Sequence, residues 1–236
     1  MTRIEIEKNI VDFLEKNIND PNVKLIGKKF SGDHYAEFEF YKNDLRYQFS
    51  IVFIKPNFLK AICCLNISSK IITDILRTVN PNASYEFILC NINLNSFLVP
   101  IHQNGIYQTP DRIDFYIDEK PLNSIDDINN LTRNLFLNTV YDTIKNEIVP
   151  KTDSLEKLDF LFNFLPYQGN DDDKPNMTLY SSYLINQVLA GTLLAIATDR
   201  ANKDELFKKY LRYSSKFQDG EHVSIDLMRK AIKRYG

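Results

Sequence analysis

Apolar residues recur at helical spacing over the first 18 positions of the chain. Acids and lysines fill the positions between them, a pattern typical of an amphipathic helix with one buried face. The turn residues Asp20-Pro21-Asn22 follow directly and end the periodicity. We therefore predict a first helix over residues 3–18. Its apolar stripe consists of Ile6, Ile10, Phe13, Leu14 and Ile18.

The spacing of the apolar positions then changes to two, the period of a strand. Residues 41–44 (YKND) separate two alternating segments and predict a hairpin turn. Residues 60–67 (KAICCLNI) form a more continuous apolar run, as expected of a central strand. We predict an antiparallel meander of three or four strands over residues 23–67, with the first helix on one face. The alternating apolar residues are Phe38, Phe40, Tyr47, Phe49, Ile51 and Phe53.

A short helix and two further strands follow the meander. Residues 71–79 have helical spacing, with Ser68 or Ser69 as the cap. Residues 85–92 and residues 112–117 (RIDFYI) are predicted strands. The segment between them, residues 93–110, carries turn signals and is predicted to be irregular.

From residue 123 onward the pattern is helical. Ser124 and Asp127 resemble a capping box, and the long helix that they begin is predicted to stop at Pro150. Asp153 and Glu156 repeat the capping pattern before a short helix. The predicted apolar side of that short helix comprises Leu155, Leu158, Phe160, Leu161 and Phe164.

Three more helices are predicted in the last third of the chain. The first covers residues 178–200 and is apolar almost all round, with small residues that allow a neighbouring helix to approach closely. The other two cover residues 203–213 and 224–234, with Gly220 in the turn between them.

The separation of strands from helices along the chain predicts an α+β fold rather than alternating α/β. The order is an N-terminal helix, an antiparallel β-meander sheet with a short crossing helix, and a C-terminal helical half. We predict an α+β region over residues 1–120 and a helical region over residues 121–236, packed together as one continuous domain.

Charge and composition narrow the function classes. A net charge of −2 gives no global attraction to nucleic acid or to an anionic membrane. Residues 200–236 carry ten Lys/Arg and five Asp/Glu, a net charge of +5, which leaves −7 for residues 1–199. Residues 184–197 are too few and too polar to span a bilayer, and the N-terminus lacks a secretory pattern. Three cysteines, two of them adjacent (Cys63, Cys64), indicate buried thiols, so we expect a cytoplasmic protein.

The residue types that carry catalysis in other proteins are scattered along this chain. His34, His102 and His222 lie in different segments, without a second ligand at metal-binding spacing. The sequence has no G-x-G-x-x-G, Walker or G-x-S-x-G motif. Glu37 and Glu39 share a strand face, which is also how a solvated sheet surface looks. We therefore predict no catalytic residue, no metal site and no cofactor.

One acidic patch stands out, GNDDDKPN at residues 169–176. An EF-hand loop that started at Asp171 would place Asn176 where the loop needs glycine and Ser182 where it needs glutamate. Two interpretations stay open: a solvated loop, or a contact for a basic partner. The predicted partner-binding residues are Asp171, Asp172, Asp173, Asp126 and Asp127.

The order of elements resembles a group of bacterial families of unknown function that often occur as immunity proteins beside polymorphic toxins. The resemblance lies in the N-terminal helix and in residues 60–67 (KAICCLNI). It continues in the long helix, proline and short helix of residues 124–162 and in the helical hairpin of residues 189–211. It implies a protein that binds and blocks a toxin without chemistry of its own, and it assigns no functional residue.

We therefore expect a non-enzymatic cytoplasmic binding protein, an immunity protein whose partner is a cognate toxin, with no membrane contact. Two alternatives stay open. One is an enzyme whose site assembles from distant residues around His34, His102 and the strand carboxylates. The other is a nucleic-acid-associated protein that uses the C-terminal helices. Their cations are Lys208, Lys209, Arg212, Arg229, Lys230, Lys233 and Arg234.

Overall fold

The structure is a computed structural model that describes residues 2–54, 59–83, 86–94, 106–109, 112–115, 124–163 and 184–236. The chain groups into two compact units. Unit 1 comprises Met1–Tyr41, Tyr47–Asn66 and Asn93–Pro150, and unit 2 comprises Lys42–Arg46, Ile67–Ile92 and Lys151–Gly236. The predicted division near residue 120 stays a prediction, because residues 116–123 lie outside the described residues.

The elements confirm the predicted α+β class: an N-terminal helix, an antiparallel sheet, and then mostly helices. The strands are β1 (Lys24–Ser31), β2 (Asp33–Lys42), β3 (Leu45–Ile54), β4 (Leu59–Ser69), β5 (Ile88–Asn93), β6 (Ile106–Thr109) and β7 (Arg112–Phe115). The helices are α1 (Arg3–Asn17), α2 (Lys70–Val79), α3 (Ile125–Thr132), α4 (Val149–Thr152), α5 (Leu155–Asn163), α6 (Leu184–Ala197), α7 (Lys203–Ser214) and α8 (Val223–Tyr235).

Helix α1 begins with a capping box and buries four of the five residues of its predicted stripe; the fifth, Ile18, is the C-cap and is half-buried. The Thr2 hydroxyl accepts a hydrogen bond from the Glu5 backbone N–H at 3.3 Å, and the Thr2 N–H donates to Glu5 Oε2 at 2.6 Å. In unit 1, α1 packs against β1, α3 and the helical segment that follows α3. Its buried apolar residues are Ile6, Ile10, Val11, Phe13 and Leu14.

The predicted meander is confirmed by β1 to β4. The sheet has the order β1-β2-β3-β4-β7-β6, and β5 also pairs with β4. Strand β2 alternates strictly: His34, Ala36 and Phe38 are buried, and the residues between them are half-buried. Phe38 stacks on Phe49 of β3, with ring centroids 6.0 Å apart. Since side chains alternate along a strand, the two faces of β2 have different surroundings.

The turn signals of residues 93–110 predict an irregular segment, but part of this segment is regular. Residues 106–109 form β6, which pairs with β7 from Ile106 opposite Phe115 to Thr109 opposite Arg112. Strand β5 starts at Ile88, later than the predicted residue 85. The prediction misses β6 because alternation over four residues gives too weak a signal of period two.

The prediction that a long helix stops at Pro150 is wrong. After α3, the chain forms π-helical segments at Arg133–Tyr141 and Ile144–Ile148, and α4 then carries it past Pro150 to Thr152. The Thr139 hydroxyl donates to the Asn134 carbonyl five residues earlier at 2.9 Å, within the widened turn. Pro150 therefore lies inside a continuous helical run, directly after the wide π-helical turn of Ile144–Ile148, and does not end it.

Two local predictions for α5 are also wrong. Its cap is Ser154 rather than Asp153: the Lys157 N–H donates to the Ser154 hydroxyl at 3.3 Å. The Asp153 carboxylate instead accepts from the Lys157 ammonium at 2.7 Å. Phe160 is 49% exposed, whereas Phe162 is buried, since it lies on the same side as Leu158.

Helix α6 is the centre of unit 2, where it packs against α2, α5, α7 and α8. This packing on several sides explains why the helix is apolar almost all round: every residue from Val188 to Ala195 is buried. Gly191 lies where its carbonyl accepts from Asn163 Nδ2 at 2.9 Å. The prediction that small residues allow close approach holds at this position.

Replacing Gly191 with alanine should destabilise the protein. An added Cβ would lie 2.6 Å from Asn163 Oδ1 and would also meet the Tyr210 hydroxyl, which donates to that same oxygen. We expect a loss of about 1–3 kcal/mol in the free energy of unfolding, measured by urea denaturation. Tyr210→Phe removes one of the two clashing atoms, so Gly191→Ala should cost less in that background. A gain in stability, the direction that helix propensity alone predicts, would contradict the packing argument.

Candidate functional site

A buried cluster of ionisable side chains joins α1 to the sheet in unit 1. The Glu7 carboxylate is fully buried and His34 is 4% exposed. Glu7 lies on the buried side of α1 beside Ile6 and Ile10, and the alternation of β2 turns His34 to the same side while Asp33 is exposed. A buried titratable pair with specific charged partners is a candidate functional site on physical grounds.

The Glu7 carboxylate uses both of its oxygens. Oε1 accepts from Arg3 Nε at 2.6 Å, one helical turn away, and Oε2 contacts His34 Nδ1. When the carboxylate is ionised it can only accept, and His34 then donates from Nδ1. The Phe30 ring lies edge-on to the imidazole, with centroids 6.4 Å apart. A carboxylate that orients a histidine in this way is an arrangement that enzymes use, but here it is enclosed and leaves little of His34 open to a substrate.

Sequence reasoning missed this cluster because its members lie 27 residues apart. One signal was available. Glu7 falls inside the apolar stripe of α1, three residues before Ile10 and seven before Leu14, where an acid is out of place. A buried acid needs a cation or hydrogen-bond donors to offset its desolvation. An acid within the apolar stripe therefore predicts buried partners, and in the structure these are Arg3 and His34.

The opposite side of the β1–β2 hairpin carries polar and aromatic residues that are exposed or half-buried. In the register of the two strands, Lys24 faces Glu39 and Lys29 faces Tyr35. Opposite charges and aromatic rings paired across strands in this way stabilise a hairpin locally. We call this surface the outer face. It comprises Lys24, Lys29, Tyr35, Glu37, Glu39 and Tyr41.

A cleft of about 230 Å³ opens at one end of the outer face. The turn after α1 provides Pro21 and Asn22, β1 provides Lys24, and β2 provides Glu39 and Tyr41. Tyr41 is 60% exposed, which makes it the most accessible aromatic side chain of those described. The cleft therefore combines an open aromatic ring, a proline ring and one pair of opposite charges.

Asp20 holds the turn that forms one wall of this cleft. Its Oδ1 accepts from the Asn22 backbone N–H at 3.0 Å and from Asn22 Nδ2 at 3.1 Å. Its Oδ2 accepts from Lys145 Nζ at 2.7 Å, and Lys145 also lies over the Tyr141 ring at 5.6 Å. The hydrogen bond from Lys145 and that from the Asn22 backbone lower the pKa of Asp20. Burial and the neighbouring Asp20 charge raise the pKa of Tyr141.

The structure describes two of the five predicted partner-binding acids. Asp171, Asp172 and Asp173 lie outside the described residues. Asp126 and Asp127 are exposed in the first turn of α3, and Asp127 is tied to the Ser124 cap, whose hydroxyl accepts from its backbone N–H at 3.1 Å. Sequence reasoning did not single out Ile125, which is 57% exposed beside these two acids.

Two of the cations at the C-terminus have internal partners. Arg229 donates to the Phe217 carbonyl at 2.9 Å and to Asp219 at 2.5 Å, and so holds the loop after α7. Arg234 donates to the carbonyl of Thr78 in α2 at 3.0 Å. These contacts hold unit 2 together, whereas Lys208, Arg212, Lys230 and Lys233 are exposed.

The three cysteines form no disulfide among the described residues, and they are buried or half-buried. Cys63 and Cys90 are fully buried, and desolvation raises the pKa of both thiols. His102, part of the enzyme alternative, lies outside the described residues. Within the described ranges, no group of three or more His, Cys, Asp or Glu could hold a metal, and no helix is long and apolar enough to cross a membrane.

Comparisons with known proteins add no further assignment. The chain matches no protein-family model, no curated protein and no solved structure. The resemblance to immunity families is therefore a prediction from the pattern of the sequence.

Replacing Glu7 with glutamine should destabilise the protein far more than the same change at an exposed acid of α1. Glutamine removes the charge that Arg3 and His34 share, which costs about 2–4 kcal/mol for a buried pair. Urea denaturation at neutral pH measures the loss. The matched control is Glu15→Gln: Glu15 is 48% exposed and pairs with Lys28, so its loss should be under about 1 kcal/mol. Equal losses at the two positions would contradict the structural role of the cluster.

Asp20 should stabilise the protein only above acidic pH. Because its pKa is lowered on folding from an ordinary value near 3.8, its contribution is present above that value. The contribution is lost as the pH falls through the folded-state pKa. Asp20→Asn should therefore cost about 0.5–1 kcal/mol at pH 7, since Lys145 is partly exposed and solvent screens the pair.

Urea denaturation from neutral to acidic pH measures the difference between the wild type and Asp20→Asn. The gap should close at the acidic end of the series. A gap that is constant with pH would mean that Asp20 acts through packing or turn geometry rather than through its charge.

Proposed function

We propose that this chain is a non-enzymatic binding protein that uses the outer face to bind a protein partner. The observation that carries the proposal is the pair of tyrosines on this face, Tyr35 and Tyr41, set between lysines and glutamates on the β1–β2 hairpin. Tyrosine contributes a large, stiff contact area with a polar end, and it is enriched among the residues that dominate binding energy.

The charges of the outer face favour a protein over a phosphate polymer as the partner. Lys24 and Lys29 are balanced by Glu37 and Glu39, so the face has no net charge. Nucleic-acid binding depends on cations that neutralise several phosphates without acids beside them. A mixed polar rim around aromatic anchors is instead the usual anatomy of a protein interface.

We further propose that the partner is a secreted bacterial toxin and that the chain is its cytoplasmic immunity protein. Support comes from the sequence resemblance and from the acidic positions on the chain. Asp126 and Asp127, beside the exposed Ile125, offer negative charge next to an apolar anchor. A basic toxin, such as a nuclease, would be steered toward such surfaces.

The nucleic-acid alternative rests on a smaller set of cations than the sequence suggests. With Arg229 and Arg234 engaged inside unit 2, its specific support is the exposed group Lys208, Arg212, Lys230 and Lys233. Its signature would be binding of DNA or RNA that weakens steeply with added salt. Absence of binding at low salt would remove this alternative.

Co-purification of the tagged chain from its native host should recover one protein partner in near-stoichiometric amount. Mass spectrometry identifies the partner, and the purified partner should lose its toxic activity when the chain is added. Recovery of no such partner, together with turnover of a small molecule by the chain, would contradict the proposal in favour of an enzyme.

Variants of the chain then locate the binding face. The double variant Tyr35→Ala and Tyr41→Ala should weaken partner binding by at least about tenfold, the scale of a hot-spot loss. Leu211→Ala, which truncates an apolar residue 40% exposed on α7, is the control and should bind as the wild type does. Neutralising Asp171, Asp172 and Asp173 together should weaken binding without unfolding the protein, and unchanged affinity would leave those residues as a solvated loop.

A further inference from the structure

We propose that β1 pairs with an extended segment of the protein partner, which carries an acidic and an aromatic residue and joins the sheet as an additional strand. This inference rests on the proposed function, because it names the part of the partner that the β1–β2 hairpin recognises. The site is the outer edge of β1 along Gly27–Ser31. Strand addition takes its affinity from main-chain hydrogen bonds and its specificity from alternate side chains.

Strand β1 is a terminal strand of the sheet. It lies at one end of the strand order, and within the described residues it pairs with β2 and with no other strand. In an antiparallel pair, every second residue of such a strand turns its N–H and C=O away from the neighbouring strand. These groups are a template for a further strand. At the other end of the order β6 has only four residues, whereas β1 has eight.

An irregularity in β1 limits the usable edge to five residues. The register shifts between Leu25 and Gly27, so Ile26 is an extra residue on this strand. From Gly27 to Ser31 the pairing with β2 is regular, and five extended residues span about 17 Å. This is the length of a typical strand. Ile26 is 41% exposed at the end of this run and offers an apolar contact.

The charges of the hairpin favour an acid on the added strand. The outer face is balanced as a whole, but its lysines lie on β1 and its glutamates lie on β2, one strand farther in. Neighbouring strands lie about 4.8 Å apart, so an added strand comes next to the lysines and farther from the glutamates. Strand β1 itself contains three lysines and no acid. An acid opposite a lysine stabilises strand pairing, whereas a second cation there is unfavourable.

Lys29 is the cation that this acid meets. Lys29 lies opposite the uncharged Tyr35 and forms no ion pair with any residue that the structure describes. The Nζ of Lys28, by contrast, lies 3.4 Å from an oxygen of Asp12 and 3.2 Å from one of Glu15, both on α1. Because Lys28 and Lys29 are consecutive in the strand, their side chains lie on opposite faces of the sheet. An acid on the outer side of the added strand therefore pairs with Lys29.

Gly27 leaves room for a large side chain on the added strand. A Cβ added at Gly27 would lie 3.6 Å from the Tyr35 ring, so this ring extends beside the glycine. Across an antiparallel pair, opposite Cβ atoms lie about 4.5–5.5 Å apart, within reach of an aromatic side chain. An aromatic residue opposite Gly27 can therefore pack on Tyr35. In an antiparallel strand this residue comes two positions after the acid that faces Lys29, and both project from the same side.

A second copy of the chain does not suit this edge. Antiparallel pairing of two Gly27–Ser31 segments in full register would place Lys29 opposite the same lysine of the other copy, and like charges there are destabilising. Lysines and bulges on an edge strand are common devices against such self-association. They leave the edge open to a segment that carries an acid, so the proposed occupant is a different protein.

The first experiment uses two acetylated and amidated hexapeptides as probes of the full chain. The acidic probe, Thr-Val-Glu-Thr-Phe-Thr, places its glutamate opposite Lys29 and its phenylalanine opposite Gly27. We expect saturable backbone amide NMR shifts along Gly27–Ser31. The basic probe, with lysine in place of the glutamate, should bind at least about fivefold more weakly. Equal binding of the two probes, or no saturable shift with the acidic probe, would overturn the proposal.

Methylation of the peptide backbone separates strand addition from contacts made by side chains alone. In an added strand only every second N–H group of the peptide points at β1. N-methyl groups are therefore placed either on the first, third and fifth residues of the acidic probe or on the second, fourth and sixth. One set should abolish saturable binding, and the other should largely retain it. Equal effects of the two sets would contradict pairing through the main chain.

A charge reversal tests the contact of Lys29. Lys29→Glu should weaken binding of the acidic probe and strengthen binding of the basic probe, each by at least about fivefold. The matched control is Lys24→Glu, because Lys24 lies on the other side of the bulge, about 16 Å along the strand and beyond the screening length of about 8 Å. Equal effects of the two reversals would mean that general charge, and not the register of the added strand, determines binding.

An aromatic truncation tests the contact of Tyr35. Tyr35→Ala should weaken binding of the acidic probe by at least about threefold, since its ring packs on the phenylalanine. Tyr41→Ala is the control and should bind as the wild type does, because Tyr41 lies six residues farther along β2, about 20 Å away. Equal losses for the two variants would contradict the assigned register, and unchanged amide dispersion verifies that each variant is folded.

The outcomes separate this inference from the function on which it rests. If the acidic probe binds with the alternating methylation pattern but no protein partner is recovered, the strand site stands and the proposed function fails. If a partner is recovered, backbone amide hydrogen exchange at every second residue of Gly27–Ser31 should be slower in the complex than in the free chain. A partner that binds through the tyrosines but leaves these amides unprotected would uphold the proposed function and overturn strand addition.

Discussion

The two-residue period of β2 is the constraint on which both sites of unit 1 depend. It sends His34 toward α1 and leaves Tyr35, Glu39 and Tyr41 on the other side. A slip of one residue in the register would exchange these sets, exposing the aromatic residues of the core and burying acids without partners. The register is therefore held from both sides: by the stack of Phe38 on Phe49, and by the contact of His34 with Glu7.

The buried Glu7 carboxylate restricts where α1 can lie on the sheet more closely than apolar packing alone would. Apolar side chains would tolerate several positions of α1 on the sheet, because dispersion contacts have little directionality. A buried carboxylate does not, since moving it away from Arg3 or His34 leaves a charge without a partner. The cluster thus fixes the position of α1 along the strands. The turn after α1, which carries Pro21 and Asn22, is positioned with it.

The sequence predicts those features that repeat over many residues. Three such patterns extend over ten or more positions, and each is confirmed. They are the apolar stripe of α1, the alternation of β2 and β3, and the apolar residues on all sides of α6. Features set by few residues were missed. Strand β6 has four residues, and the choice of Ser154 over Asp153 as a cap depends on the geometry of one turn.

The candidate sites were harder to predict than the fold because each is assembled from separate segments. The Arg3–Glu7–His34 cluster joins a helix to a strand, and the cleft joins residues of the turn after α1 to two strands. Neither leaves a local spacing to detect. The acids chosen from the sequence are neighbours along the chain, a pattern that a sequence shows directly; they are Asp171, Asp172, Asp173, Asp126 and Asp127, and their role in binding stays a prediction.

The Lys145–Asp20–Tyr141 group shows how a stable internal contact can serve a surface that is open to a partner. Its cation comes from the chain itself, so the group is complete and holds the turn after α1 in place. That turn provides Pro21 and Asn22 to one wall of the cleft at the end of the outer face. Because a wall that is fixed in advance reduces the ordering cost of binding, the internal group favours recognition at a surface that it does not itself contact.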